Sequence, residues 1–347
     1  MLAAPDDARE DLMPGTRRDI LGGVAVTALG TVAAAAPATA NAPDAVPAAR
    51  IARLFADLPG TVAYRILAPA TRRTRRLELA SNAGRRLFVG SAFKTFVAAE
   101  AFRQADSPEV VQRITARQLA LDASVWSLDS ATFNPPHLEG AVSERTALEA
   151  MILHSDNTGT DMVLKAVGPG RVRAFIASAG LTKTLIPDST RAFFGYLLGA
   201  PDYLTFTWKQ LVAAIDGPIV NPPLNTTQTL ASSADDLVSF YRRALQGEFF
   251  RHQETLRQYR ALLSIGDVIN LVPFPLGASS FAKGGSIDVP GFHALCVPGG
   301  MFFDDVWVYF CFTINWRAAA EQDPATVAAF AAATGKALQI VKDSLAA

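Results

Sequence analysis

Apolar residues recur at helical spacing at Ile51, Leu54, Phe55 and Leu58, and Pro59-Gly60 closes that run, so the spacing predicts a first helix over 48–58. Thr61 to Ala68 (TVAYRILA) and Arg75 to Ala80 (RRLELA) then read as a hairpin turning through Pro69-Ala70-Thr71. From Ser91 to about residue 265 the periodicity is mainly helical, clearest over 91–104, 144–154, 159–167, 170–179, 207–215 and 233–246. After Gly277 short apolar runs return at Ser279–Lys283, Gly291–Val297 and Val306–Asn315, separated by Pro, Gly and Asp, and these read as strands. Pro324 opens a last helix with Val327, Phe330, Leu338, Val341 and Leu345 on its inner face.

The order helix, two strands, helical block, three strands, helix implies an α+β fold. Its first and last parts form one five-stranded antiparallel sheet with the N- and C-terminal helices packed on it, and an all-helical lobe is inserted between strands 2 and 3. The expected boundaries are an α/β lobe of residues 48–90 and 277–347 and a helical lobe of residues 91–276. Ahead of them, residues 41–47 read as a Pro/Ala-rich linker and residues 1–40 as a twin-arginine export signal. That signal consists of Thr16-Arg17-Arg18-Asp19-Ile20-Leu21, a weakly hydrophobic stretch interrupted by Gly22, Gly23 and Gly30, and an Ala38-Thr39-Ala40 cleavage site. The expected partner is the twin-arginine export machinery and the expected location the periplasm or the extracellular space.

Half of the 347 residues are hydrophobic, enough for a large core, and 32 basic side chains balance 32 acidic ones. That balance gives no electrostatic reason to expect nucleic acid or an anionic membrane surface, and it suits a small-molecule substrate and a monomer. No stretch after the signal is long and apolar enough to span a bilayer. Cys296 and Cys311 fall in adjacent strand-like runs and read either as a cross-strand disulfide or as two buried thiols. The arginines at 72, 73, 75, 76, 85 and 86 read as a charge-protected hairpin edge. His137, His154, His252 and His293 are scattered and form no metal pattern, and no Gly-rich phosphate loop opens a helix, so neither metal nor cofactor is expected.

Three short patterns carry chemistry. Ser91-Ala92-Phe93-Lys94 sits where Leu87–Gly90 meets an amphipathic helix, so the two polar side chains lie on one face, and an uncharged lysine there can take the serine proton. Alone this is weak, because such a pair should occur about once by chance in a chain of this length. Ser280-Phe281-Ala282-Lys283 is such a pair, but it lies in a strand, where positions three apart face opposite sides. Ser155-Asp156-Asn157 lies between two helical runs and suits an N-cap as well as chemistry. Lys283-Gly284-Gly285-Ser286 follows a strand, and its glycines allow close approach to the backbone.

Together and in this order, the three patterns resemble the Ser-x-x-Lys, Ser-Asp-Asn and Lys-Thr-Gly set of class A β-lactamases and penicillin-binding proteins. LFVGSAFKTFVAAEAF is similar to that family's nucleophile helix, MILHSDNTGTDMVLKAVGPGRVRAFIASAGL to its Ser-Asp-Asn loop and flanking helices, and NTTQTLASSADDLVSFYRRAL to the helix after its omega loop. The resemblance covers roughly residues 45–345 and implies roles for particular residues. Ser91 would be acylated, with Lys94 as its base and Ser155 passing a proton to the leaving group. Asn157 would hold substrate and Lys94, and Lys283 would supply positive charge. Gly285 and Ser286 would contact substrate, and the N–H groups of Ser91 and Ser286 would form the oxyanion hole.

The sequence departs from the family in three places. No glutamate occurs between Glu149 and Glu248, so the omega-loop base that activates water is missing; Thr190 falls in its slot and Asp188 is the nearest acid. Gly284 stands where the family has Thr or Ser, with Ser286 and His293 as candidate replacement donors. Residues 181–225 are rich in aromatic residues and proline and longer than the family's loop. The implied function is a serine hydrolase opening an amide, with β-lactams as the leading substrate class. The alternatives are an esterase, amidase or peptidase, or a penicillin-trapping protein with slow deacylation.

Overall fold

The computed structural model describes residues 39–40 and 44–346. It begins with β1 (Thr39–Ala40), α1 (Ala45–Leu54) and the hairpin of β2 (Thr61–Ala68) and β3 (Leu77–Ser81). β4 (Leu87–Phe88) leads through a 3-10 turn, Gly90–Phe93, into α2 (Lys94–Ala105). The helical part continues as α3 (Val110–Ala116), a small hairpin of β5 (Gln118–Leu121) and β6 (Gly140–Ser143), and α4 (Glu144–Leu153). Next come α5 (Asn157–Val167), α6 (Pro169–Ser178), α7 (Thr190–Leu197) and α8 (Trp208–Ala214), then β7 (Ala231–Ser232), which pairs with β4, α9 (Ala234–Leu245) and α10 (Gln253–Leu263). β8 (Ser279–Ala282), β9 (Gly285–Val289), β10 (Phe292–Phe303), β11 (Val306–Trp316) and α11 (Pro324–Ala346) complete the chain.

The fold is α+β, as the order of elements implies. Its antiparallel sheet runs β1-β3-β2-β11-β10, with β8 and β9 both paired along β10. One face buries Ile51 of α1 and Phe330, Leu338 and Val341 of α11 against Ile66, Phe310 and Phe312. The other face carries Cys296, Tyr309 and Cys311 into a core shared with α2 and α9, including Phe96, Phe102, Phe240 and Tyr241.

The sheet has seven strands where five were expected, for two reasons. β1 adds to the edge beyond β3. The other edge is interrupted: β8 ends with Ala282 opposite Gly299 and β9 begins with Gly285 opposite Cys296, which leaves Lys283 and Gly284 facing Val297 and Pro298. Pro298 has no N–H to give a ladder, so pairing breaks there and frees the Lys283 backbone from the sheet. Residues 1–38 of the expected export signal lie outside the described residues, as do 41–43 of the expected linker. α1 starts at Ala45, inside that linker, and Asp44 just before it is buried and paired with Arg75. Among the described residues no helix is long and apolar enough to cross a membrane.

Candidate active site

α2 is buried almost all round, and its first residue is a lysine with no exposed surface. Lys94 Nζ donates to Ser155 O at 2.5 Å, Asn157 Oδ1 at 2.7 Å and Ser155 Oγ at 3.2 Å, so all three ammonium hydrogens find acceptors. Burial and, after it, the positive charge of Lys283 lower the Lys94 pKa to about 7, against the opposing carboxylates of Asp267, Asp156 and Asp161. Ser91 lies one turn earlier, in the 3-10 turn, and is partly exposed. Its hydroxyl bonds to none of the described residues.

Ser155 sits between α4 and α5 with φ of 55°, a left-handed conformation unusual for serine. Asp156 holds it there. One carboxylate oxygen caps α5 by accepting from Gly159 N at 2.7 Å, and the other accepts from Thr132 N at 2.9 Å and Phe133 N at 3.1 Å. The capping and chemical readings of Ser-Asp-Asn therefore fall on different residues: Asp156 caps and fastens, while Ser155 and Asn157 turn to Lys94.

Lys283, also fully buried, reaches Ser155 Oγ from the other side at 3.1 Å. Its Nζ also donates to Asp267 Oδ2 at 2.5 Å and Gly284 O at 2.8 Å, and its backbone N–H donates to Tyr241 Oη at 3.1 Å. Burial depresses its pKa and Asp267 raises it. Ser155 Oγ thus stands between two lysine nitrogens.

The turn carrying Ser91 packs backbone against backbone on the start of β9. A Cβ on Gly285 would lie 2.0 Å from Val89 O and 2.6 Å from Ser91 N, and one on Gly90, whose φ is 53°, would lie 2.5 Å from Ser286 N. Only glycine at both positions permits this approach, and it brings the amides of Ser91 and Ser286 to one place. The Ser286 side chain is exposed.

Other candidates lie elsewhere or are already engaged. Thr190, the first residue of α7, is buried; its Oγ1 donates to Ser127 Oγ at 2.8 Å and to Asn157 O at 3.3 Å. Asp188 turns away from the cluster, paired with Arg173 at 2.7 Å and accepting from Gln228 at 2.5 Å. His293 lies apart from the lysine–serine cluster, on the opposite face of the sheet. Along β10, Ala294 and Cys296 face the helical core, so His293 and Leu295 face the terminal helices. There its Nδ1 meets Asp288 at 2.8 Å and its ring stacks on Trp316 at 5.1 Å. Cys296 and Cys311 are free buried thiols with sulfurs 3.9 Å apart.

Three contributors were missed in the sequence. Asp267 and Gly90 belong to no pattern, since they meet Lys283 and Ser286 only through the fold. Asp161 was legible only as part of a buried helix face. Its two carboxylate oxygens accept from Thr190 N at 2.7 Å and Arg191 N at 3.1 Å, tying α5 to the start of α7, and burial raises its pKa to about 6.

The chain matches the model of the beta-lactamase enzyme family over residues 47–287. Among solved structures, a class A beta-lactamase from Bacteroides cellulosilyticus is similar with a TM-score of 0.65 at 17% identity, covering 88% of this chain and 98% of that one. A beta-lactamase from Sphaerobacter thermophilus gives 0.62 at 19% identity, covering 86% and 96%. PBP-A gives 0.64 at 15% identity, also covering 86% and 96%. At these identities the structural likeness speaks for the fold. Comparison with curated protein sequences gave no match.

Proposed function

The chain belongs to the beta-lactamase enzyme family, and from that premise we propose that it is a serine acyl hydrolase that opens an amide, with β-lactams as the leading substrate class, through an acyl-Ser91 intermediate. The observation that carries the reading is Ser155 Oγ held between Lys94 Nζ and Lys283 Nζ, with the Lys94 pKa brought to about 7. A lysine neutral near that pH takes the Ser91 proton as the hydroxyl attacks the carbonyl. The proton then passes through Ser155 to the leaving atom, and Lys283 keeps the Ser155 oxygen polarised for the transfer. Asn157 fixes the Lys94 nitrogen. The N–H groups of Ser91 and Ser286 receive the oxyanion, and the Gly90–Gly285 contact holds those donors in place.

The second half of the cycle is poorly provided. Thr190 offers no carboxylate, Asp188 is spent on Arg173 and Gln228, and both oxygens of Asp161 are spent on backbone N–H groups. Water at the acyl bond therefore has no dedicated base, which favours a long-lived acyl-enzyme. The proposed setting is the periplasm or cell exterior, reached by twin-arginine export.

The test is intact mass against time after mixing the mature protein with a penicillin and a cephalosporin, with Ser91→Ala as control. A slowly decaying adduct absent from the control is expected. Absence of any adduct, with no hydrolysis of β-lactam, ester or amide, would overturn the reading.

A further inference from the structure

At its Lys283 end the site buries the lysine and leaves the paired carboxylate of Asp267 partly exposed. Lys283 has no exposed surface, and its three hydrogens are committed to Asp267, Gly284 O and Ser155 Oγ. The Asp267 side chain keeps 31% of its surface exposed. Its oxygens accept one bond each, from Lys283 Nζ and from Gly284 N at 3.2 Å, which leaves lone pairs on both. Among the described residues no arginine pairs with it.

Gly284, where the family's hydroxyl is missing, adjoins the turn that carries Asp267. A Cβ on Gly284 would lie 3.1 Å from Val268 Cβ and 3.5 Å from Asp267 Oδ1, so a side chain there would press on Val268 and lie beside the carboxylate.

We propose that Asp267 narrows the substrate class: among acyl donors the site prefers those whose leaving group carries an amine or other cation near the scissile bond and disfavours those carrying a carboxylate there, so that penicillins and cephalosporins, which bear a carboxylate beside the leaving nitrogen, acylate Ser91 more slowly than donors without that charge. This rests on Ser91 as the acylated residue and Ser155 as the proton donor to the leaving atom, which place Lys283 and Asp267 on the leaving-group side. An anionic leaving group would meet Asp267, and Lys283 could bind it only by giving up a bond it already has. An ammonium would pair with the free lone pairs of Asp267.

The test uses aryl esters of one acyl group whose phenol bears an aminomethyl, a carboxamide or a carboxylate substituent, with acylation of Ser91 followed by intact mass. Intrinsic reactivity cancels in the ratio of wild type to Asp267→Asn. Whatever common effect the substitution has through Lys283, it is expected to slow the aminomethyl ester and speed the carboxylate ester relative to the carboxamide, each by roughly tenfold, with Asp267→Glu retaining the amine preference. An equal effect on all three esters would overturn the proposal. A readout independent of turnover is calorimetric binding of the free phenols to Ser91→Ala, where tighter binding of the carboxyphenol than the aminomethylphenol would also overturn it. If no ester acylates wild type but the aminomethylphenol binds more tightly, charge selection stands and the nucleophile assignment falls.

Discussion

The two flanks of this site use the same kinds of side chain to different ends. On the flank of Lys94, Ser155 and Lys283, two buried lysines share one hydroxyl, and their burial keeps a proton easily moved. On the flank of Thr190, Asp161 and Asp188, every polar side chain is bonded to a helix N-terminus, a backbone carbonyl or a surface cation. A buried polar group serves chemistry when its partners are themselves reactive, and serves architecture when they are the backbone. The contrast separates formation of an acyl-enzyme from its release.

The strongest test of that contrast removes the base. Lys94→Ala is expected to slow acylation by ~10²–10⁴-fold, with the rate of adduct formation as readout. Loss of less than tenfold would move the base elsewhere. Next, Thr190→Glu supplies the other flank with a carboxylate and is expected to shorten adduct lifetime by roughly 10²-fold while leaving acylation within a few-fold. An unchanged lifetime would show that position 190 is not where water is activated.

A smaller effect follows from pH. Lys94 acts when neutral, and the neutral fraction rises with pH through its pKa of about 7, so acylation should fall roughly tenfold one unit below that value while release does not follow the same limb. The same burial makes the folded state bind that proton less readily than the unfolded chain, so its cost to stability is greatest below about 7 and fades as pH rises toward the ordinary lysine value. The smallest effect is expected from Asp188→Ala. It removes a half-exposed ion pair with Arg173 and should change both steps less than about twofold and stability by about 0–1 kcal/mol, read by thermal melting.

Much of the acylating flank was legible because its chemistry is written in short spacings: Ser91 to Lys94 across one helical turn, and Ser155-Asp156-Asn157 within one cap. The helical periodicities at 144–154 and 233–246 correspond to α4 and α9 for the same local reason. Asp267 was illegible because its meaning comes from β8 ending beside its turn. The facing of His293 was not legible because β10 is buried on both faces, so the alternation that normally reveals a strand's facing is silent there. α10 was passed over although Leu256, Tyr259 and Leu263 mark its inner face. The interruption at Lys283–Gly284 depended on a proline in the neighbouring strand, a partner that only the sheet register identifies.

The seam between Gly90 and Gly285 also bears on how the molecule comes into being. It joins a turn made early in synthesis to a strand made late, and closing so long a loop is entropically slow. A nascent chain that has emerged only through α10 already carries Ser91, Lys94 and Ser155, yet lacks Lys283 and the second oxyanion donor, so it is chemically mute. On refolding, acylating competence should appear after the helical signal, when that last seam closes.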